Sequence, residues 1–134
     1  ASFDLLETSS GRVILTFQDE KERKRRLERR KFYSQLEATS KISFSELKKI
    51  EKLFSKNTMK KIEKNRYELV KSLQIKGVTN ISVPIFDYTN NAIAALTIPF
   101  VDRIIAKGEL SLEQVKKLLV RSAGVLSSEM GYKH

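Results

Sequence analysis

An α+β fold, with an antiparallel sheet packed by helices, is predicted by two features of this 134-residue chain. The first is the stretch 77–100, where two runs rich in β-branched and apolar residues flank a short polar segment. The second is a set of segments with apolar residues at helical spacing, the clearest of them over residues 111–131. Alternation along the first stretch indicates strands, and the wider spacing along the second indicates helices.

The stretch 77–100 predicts an antiparallel hairpin. Its central segment, residues 87–91, is a cluster of turn formers that tolerate positive φ. Because side chains alternate along a strand, one face of the first arm is apolar and carries Ile81, Val83 and Ile85. The other face carries Val78, Asn80, Ser82, Pro84 and Phe86. A sheet with helices on the apolar face and a small ligand cavity on the mixed face accounts for this division. The alternative is that the amide and the hydroxyl of the mixed face simply contact water.

Composition limits the classes of protein that fit. With 40% hydrophobic residues the chain can form one domain with a real core. The absence of cysteine excludes disulfides, thiolate metal sites and cysteine nucleophiles. No apolar run approaches the ~20 residues needed to span a bilayer, so we expect a soluble, cytoplasmic protein with no membrane partner. The chain begins with alanine rather than methionine, which favours a piece of a longer protein.

The formal net charge of +10 lies almost entirely in the first 76 residues. A basic helical segment is predicted over residues 19–37, where Glu20, Lys24 and Glu28 are spaced one turn apart with cations between them. One interpretation is a solvated helix face. The other is a phosphate-binding helix, although no aromatic residues are interleaved with the arginines.

Near the N-terminus, Asp4 and Glu7 can cap a helix that contains the small residues 8–11. Such residues are poor helix formers, and inside a helix they allow a backbone or a ligand to approach closely. The alternative is a loop that ends where a shorter helix begins at Arg12.

Three further helices and one further strand are predicted. A capping box at Ser43 and Glu46 opens a helix that ends near Asn57, and a second short helix follows over residues 58–64. Residues 67–74 form a strand that leads into the hairpin. The last helix is capped by Ser111 with Gln114 and ends at Gly131. Its apolar stripe, predicted to cover the sheet, is Leu112, Val115, Leu119, Ala123, Leu126 and Met130.

Catalysis is not predicted. The only histidine is the terminal His134, which leaves no basis for histidine acid–base chemistry or a histidine metal site. No glycine-rich phosphate loop, nucleophile elbow or metal-ligand spacing is present, so neither a metal nor a cofactor is expected.

The hairpin resembles a known family. Gly77 to Asp87 follows the pattern Gly-Val-x-x-Ile-x-x-Pro-Ile-Phe-Asp, and after a short turn comes Ala-Ile-Ala-Ala-Leu-Thr-Ile from Ala92. This is similar to the effector-binding domain of IclR-type bacterial transcription regulators. Residues 8–15 resemble the family's small-residue helix and residues 110–132 its closing helix, whereas residues 18–64 resemble the family weakly.

The resemblance implies a GAF-like sensor domain that is partial over residues 1–134. The family's domain begins with upstream strands, and a separate winged helix-turn-helix domain binds DNA; neither is expected within this chain. The missing strands imply an unpaired sheet edge or a sheet completed by another copy. A homo-oligomer, and contact with DNA only through the missing domain, are therefore expected.

The resemblance places the effector site on the small-residue helix, on the strand before the glycine and on both hairpin arms. The residues at these positions are Ser9, Ser10, Gly11, Val70, Lys71, Ser72, Gln74, Val78, Asn80, Thr97 and Pro99. Many members of the family have a cysteine where this chain has Asn80, an acidic residue at Val70 and Lys71, and a serine at Pro99. Our hypothesis is that five side chains donate or accept hydrogen bonds to a sugar acid or keto acid, with Lys71 as counter-charge. These five are Ser10, Ser72, Gln74, Asn80 and Thr97.

The expected function is effector sensing, in which a small organic metabolite shifts DNA binding by favouring one domain or dimer arrangement. Two alternatives remain open at this point. One is a nucleic-acid-binding module acting through residues 21–31, and the other is a module that serves dimerisation only.

Overall fold

The computed structural model describes residues 5–37, 52, 54–73, 75–101 and 108–133. The helices are α1 (Ser9–Thr16), α2 (Glu20–Glu37), α3 (Lys56–Asn65) and α4 (Leu112–Glu129), and the strands are β1 (Glu68–Lys71), β2 (Val78–Phe86) and β3 (Ala92–Val101). The α+β prediction is confirmed.

The sheet of the described residues is antiparallel, with strand order β1-β2-β3. β2 and β3 are the two arms of the predicted hairpin, and the loop between them covers residues 87–91. Within this loop Asn90 has φ of 66°, a left-handed conformation that asparagine tolerates better than most residues. The hairpin prediction is confirmed.

The two faces of β2 pack against different helices. On one face Ile81 and Val83 form a core cluster with Leu119 and Ala123 of α4. On the other face α1 packs over the sheet, and Ser82 is fully buried. The interpretation that the polar residues of this face contact only water is therefore wrong for Ser82, while Asn80 is half-buried.

Helix α4 has the predicted capping box, since Ser111 Oγ accepts from Gln114 N and Gln114 Oε1 accepts from Ser111 N. The last two residues of the predicted apolar stripe are wrong. Leu126 and Met130 are 38% and 48% exposed, whereas Ser127 is 2% exposed. The contact line continues in steps of four residues from Ala123, and this places Ser127 rather than its neighbours against the sheet.

Several element boundaries differ from prediction. Helix α1 begins at Ser9 after Thr8 as N-cap, so the predicted helix through residues 5–8 and the alternative start at Arg12 are both wrong. Helix α3 begins at Lys56, which places Asn57 inside a helix rather than at the end of one. Strand β1 ends at Lys71 instead of continuing to residue 74. The predicted cap at Asp4 and the helix opened by Ser43 lie outside the described residues.

None of the helices in the described ranges combines the length and the hydropathy needed to cross a membrane.

Candidate functional site

A cavity of about 180 Å³ lies between the start of α1, the end of β1 and the mixed face of the sheet. Seven of the residues predicted from the sequence line it, namely Ser9, Ser10, Val70, Lys71, Ser72, Asn80 and Thr97. The cavity is also lined by Glu7, Thr8, Arg12 and Leu73. Gly11, Val78 and Pro99 are not among its lining residues, and Gln74 lies outside the described residues. That these residues bind a ligand stays a prediction.

The start of α1 is held against the preceding turn by a cap and a close backbone approach. Thr8 Oγ1 accepts from Gly11 N at 3.1 Å, which satisfies one of the free amides of the first turn. A Cβ atom at Gly11 would overlap the Leu5 carbonyl oxygen and lie 2.7 Å from the Leu5 carbonyl carbon. The glycine therefore allows the turn to fold over α1, which is the close approach that small residues in a helix suggested.

Three hydroxyl groups connect α1 to the sheet beneath the cavity. Ser10 Oγ lies 2.6 Å from Thr97 Oγ1, and Thr97 Oγ1 lies 2.8 Å from Ser82 Oγ. Ser82 and Thr97 face each other in the register of β2 and β3, so their side chains leave the same face of the sheet. A hydroxyl can donate one hydrogen bond and accept two, so the hydrogen bonds among these three hydroxyls can reverse direction to suit a ligand.

Arg12, which lines the cavity, belongs to a buried ion pair that sequence reasoning missed. Arg12 Nε lies 3.0 and 3.1 Å from the two carboxylate oxygens of Glu68, and Arg12 Nη2 lies 2.9 Å from Glu68 Oε1. Arg12 Nη1 also donates to the Leu6 carbonyl at 2.8 Å. The side chains of the pair are 6% and 10% exposed. Glu68 therefore neutralises the Arg12 charge, so Arg12 lines the cavity but is not a free cation for a ligand.

The only sequence signal for this pair is the position of each residue beside apolar neighbours. Arg12 precedes three apolar residues in α1, and Glu68 lies between Tyr67 and Leu69. Nothing local joins two positions that are 56 residues apart, so the pairing required the fold.

Ser9 and Lys71 are two of the further polar residues that line the cavity. Ser9 is 4% exposed, and its Oγ has no hydrogen-bond partner within the part of the chain that the structure describes. Lys71 is exposed at the cavity wall, at the end of β1. A buried hydroxyl without a partner is costly unless water or a ligand satisfies it. The Ser9 hydroxyl is thus enclosed by protein, while Lys71 and Glu7 place a cation and a carboxyl group at the cavity wall.

Larger concavities exist elsewhere, but their chemistry is less suited to a small polar ligand. One of about 440 Å³ is lined by Leu6, Phe54 and one side of α2. Another of about 390 Å³ lies between α3 and β1. The first has no hydroxyl group among its described lining residues, and the second has only those of Thr58 and Tyr67, whereas the smaller cavity has hydroxyls from the start of α1, from Ser72 after β1 and from β3. A few convergent polar groups are what orient a ligand.

Several solved structures that share this fold are of bacterial transcription regulators. The chain is similar to IclR of Thermotoga maritima, with 26% identity, a TM-score of 0.63, and coverage of 96% of this chain and 47% of that one. It is similar to the C-terminal domain of the E. coli regulator KdgR, with 23% identity, a TM-score of 0.57, and coverage of 96% and 71%. A double mutant of the inducer-binding domain of PobR from Acinetobacter, in complex with 3-hydroxybenzoic acid, gives 20% identity, a TM-score of 0.54, and coverage of 92% and 65%. The chain thus spans about half the length of the Thermotoga regulator, at 47%.

No curated protein matches this chain in sequence. The family model for the C-terminal region of the bacterial transcriptional regulator IclR matches residues 1–127. That range contains α1, the whole sheet and most of α4. The chain therefore belongs to the IclR family of bacterial transcription regulators and corresponds to the C-terminal region of its members.

Proposed function

We propose that this chain senses a small organic effector in the cavity between α1 and the mixed face of the sheet. The observation that carries the proposal is the convergence there of the Ser10–Thr97 hydroxyl pair, the Asn80 amide and the Lys71 cation. Groups of this kind fix the orientation of a ligand in a pocket. As part of a bacterial transcription regulator, the chain acts in the cytoplasm and by binding rather than by catalysis.

The size of the cavity favours a compact ligand. Its volume of about 180 Å³ lies below the ~300–1,000 Å³ typical of pockets for drug-sized ligands. The Ser10 hydroxyl and the Asn80 amide suit a ligand that carries hydroxyl or keto oxygens, and the cation of Lys71 suits a carboxylate. We therefore propose a small sugar acid or keto acid. The 3-hydroxybenzoic acid bound by the PobR domain is also an acid with a hydroxyl group.

The proposed mechanism is thermodynamic linkage. A ligand shifts the regulator toward the arrangement of domains or subunits that it binds better, by no more than its differential affinity, typically ~1–3 kcal/mol. Helix α1 is suited to transmit this preference, because its first turn lines the cavity while Phe17 O, just past its end, accepts from Ala92 N at 3.0 Å. The same hairpin end contacts the start of α2, where Asn91 Oδ1 accepts from Asp19 N at 2.6 Å.

The experiment is a thermal-shift screen of the chain against sugar acids, keto acids and aromatic acids, followed by calorimetry on any hit. A ligand at a hundred times its dissociation constant stabilises the fold by ~2.7 kcal/mol. Asn80→Ala and Thr97→Ala should weaken binding, whereas Thr97→Ser keeps the hydroxyl and should retain most of it. Ser128→Ala, on the exposed side of α4, is the control for a substitution far from the cavity.

Lys71→Gln separates acids from neutral polyols. A carboxylate ligand should lose affinity in this variant, and a neutral polyol should not. The assignment of the cavity is wrong if both Asn80→Ala and Thr97→Ala bind a validated ligand with unchanged affinity. A folded protein that gives no shift with any acid would favour a module that serves dimerisation only.

Self-association is also proposed, on the surface of α4. Leu118 and Val125 lie seven residues apart on one side of this helix and are 46% and 55% exposed, and Met130 is 48% exposed. Exposed apolar side chains grouped on one helix mark interaction surfaces. Sedimentation velocity should show an oligomer that dissociates on dilution and that Val125→Glu abolishes. A monomer at every concentration would refute this part of the proposal.

A further inference from the structure

Helices α2 and α3 carry two stripes of exposed cations that neither the cavity nor the core uses. In α2, Lys21, Arg25 and Arg29 follow one another every four residues, and in α3, Lys56, Lys60 and Lys64 do the same. All six residues are exposed. Residues four apart lie on one side of a helix, so each set forms a single line with a rise of ~6 Å between charges.

Both stripes point away from the protein. In α3 the opposite side is buried through Ile62, which is 2% exposed. In α2 the opposite side carries the half-buried Leu27 and Arg23, and Arg23 Nη1 lies 3.0 Å from Met59 Sδ of α3. The two helices are therefore neighbours, and each turns its cations outward.

Acidic residues offset only part of this charge. Helix α2 contains eight basic and four acidic residues, and α3 contains four lysines and one glutamate. Glu22 accepts from Arg25 at 2.6 Å and from Arg26 at 3.2 Å. The hydrogen bond from Arg25, and then that from Arg26, keeps the pKa of the Glu22 carboxyl below its ordinary value despite some desolvation. Within the described part of the chain, Lys21, Arg29, Lys56, Lys60 and Lys64 form no ion pair.

Like charges four residues apart destabilise a helix. An external anion with a repeating charge would offset this repulsion along both lines. Along one strand of duplex DNA a phosphate occurs every ~3.4 Å of the helix axis, so the ~12 Å between Lys21 and Arg29 spans three to four phosphates.

We propose that the outward faces of α2 and α3 form a second, sequence-independent binding surface for the phosphate backbone of duplex DNA. This surface adds to whatever DNA contact the regulator makes elsewhere and does not depend on the effector cavity. A membrane is a poorer partner, because the stripes lack the Trp, Phe and Leu side chains that insert a basic helix into lipid. Single-stranded RNA is also a poorer partner, because stacking aromatic side chains are missing from the stripes.

The test is fluorescence anisotropy with a labelled duplex of random sequence, ~20 base pairs or two helical turns long, titrated with the chain at several salt concentrations. If the six stripe cations neutralise about six phosphates, log K falls against log salt with a slope of about −5, and affinity drops about 10³-fold between 50 and 200 mM salt. Binding to the duplex at 50 mM salt with a slope this steep supports the proposal, and the absence of binding at 50 mM overturns it.

Two matched variants separate the stripes from net charge. The stripe variant carries Lys21→Gln, Arg29→Gln, Lys60→Gln and Lys64→Gln, and its slope should shrink to about −2, since each lost phosphate contact removes ~0.9. The control variant removes four exposed cations elsewhere, with Lys76→Gln, Lys117→Gln, Arg121→Gln and Lys133→Gln. Its slope should match that of the unmodified chain, and an equal loss in both variants overturns the proposal.

A third variant tests the direction of the effect. Glu22→Gln removes the carboxylate that Arg25 and Arg26 share and should steepen the slope by about 1 unit, because Arg26 then becomes available for one phosphate contact beyond the six of the stripes. An unchanged slope in this variant counts against the surface. Parallel titrations with duplex RNA and with phosphatidylserine vesicles decide the partner. Tenfold tighter binding to either one than to duplex DNA overturns the assignment to DNA.

Discussion

The replacement of Gly11 by alanine tests the packing at the start of α1, with Gly124 as a matched control. Both glycines lie inside helices, where alanine is normally favoured by ~1 kcal/mol. At Gly124 nothing lies within 4 Å of an added Cβ, so we expect Gly124→Ala to stabilise the fold by about that amount. At Gly11 the added Cβ would meet the Leu5 carbonyl group and lie 2.9 Å from Thr8 Oγ1.

The clash at Gly11 involves backbone and cannot be relieved by rotating a side chain. Overpacking of this kind costs ~1–3 kcal/mol, and displacement of Thr8 removes a helix cap worth ~1 kcal/mol. After the helix-propensity gain is set against these costs, Gly11→Ala should destabilise the chain by about 1–3 kcal/mol. In a domain of this size each kcal/mol shifts the melting temperature by roughly 3–5 °C. Thermal and urea unfolding should show opposite signs for the two variants. A Gly11→Ala chain as stable as Gly124→Ala would refute the close approach.

The remaining predictions concern buried polar groups. Arg12→Met leaves the Glu68 carboxylate unpaired and should destabilise the fold by ~3–5 kcal/mol. The further substitution Glu68→Leu should restore much of this stability, because an apolar pair then replaces a buried charge. Urea unfolding of the single and double variants measures both effects, and a double variant less stable than Arg12→Met would contradict the prediction. Ser127→Ala removes the hydroxyl that accepts from Phe86 N at 3.0 Å, so it should lower the free energy of unfolding by ~1–3 kcal/mol, as measured by chemical unfolding. Ser128→Ala, at an exposed position, should change this free energy little. Equal effects of the two serine substitutions would show that this hydrogen bond contributes nothing measurable.

Local sequence patterns were sufficient to predict the hairpin and the start of the last helix. The alternation over residues 78–86 determines the strand faces, because side chains alternate with a period of two, and the turn formers at 87–91 place the turn. The capping box at Ser111 and Gln114 is likewise a local arrangement that four residues specify.

Predictions about helix ends and buried helix faces were wrong where packing against neighbouring elements, rather than local propensity, decides them. The predicted stripe of α4 included Leu126 and Met130, yet the sheet contacts the helix along a line that passes through Ser127. Hydropathy ranks leucine above serine at such a position, but the direction from which β2 approaches determines which residue is buried. The predicted start of α1 was wrong for a similar reason, because the turn over Gly11 depends on a contact with Leu5.

The amino-acid sequence by itself determined the family, the antiparallel hairpin with its two unlike faces, and the basic character of α2, because each of these is written in residues close together along the chain. Only the tertiary structure decided that Ser10, Thr97 and Ser82 form one hydroxyl chain, and that Arg12 is neutralised by Glu68 rather than free for a ligand. These contacts join positions separated by up to 87 residues. Pairing at such distances is decided by how the elements pack together, which no local pattern of residues encodes.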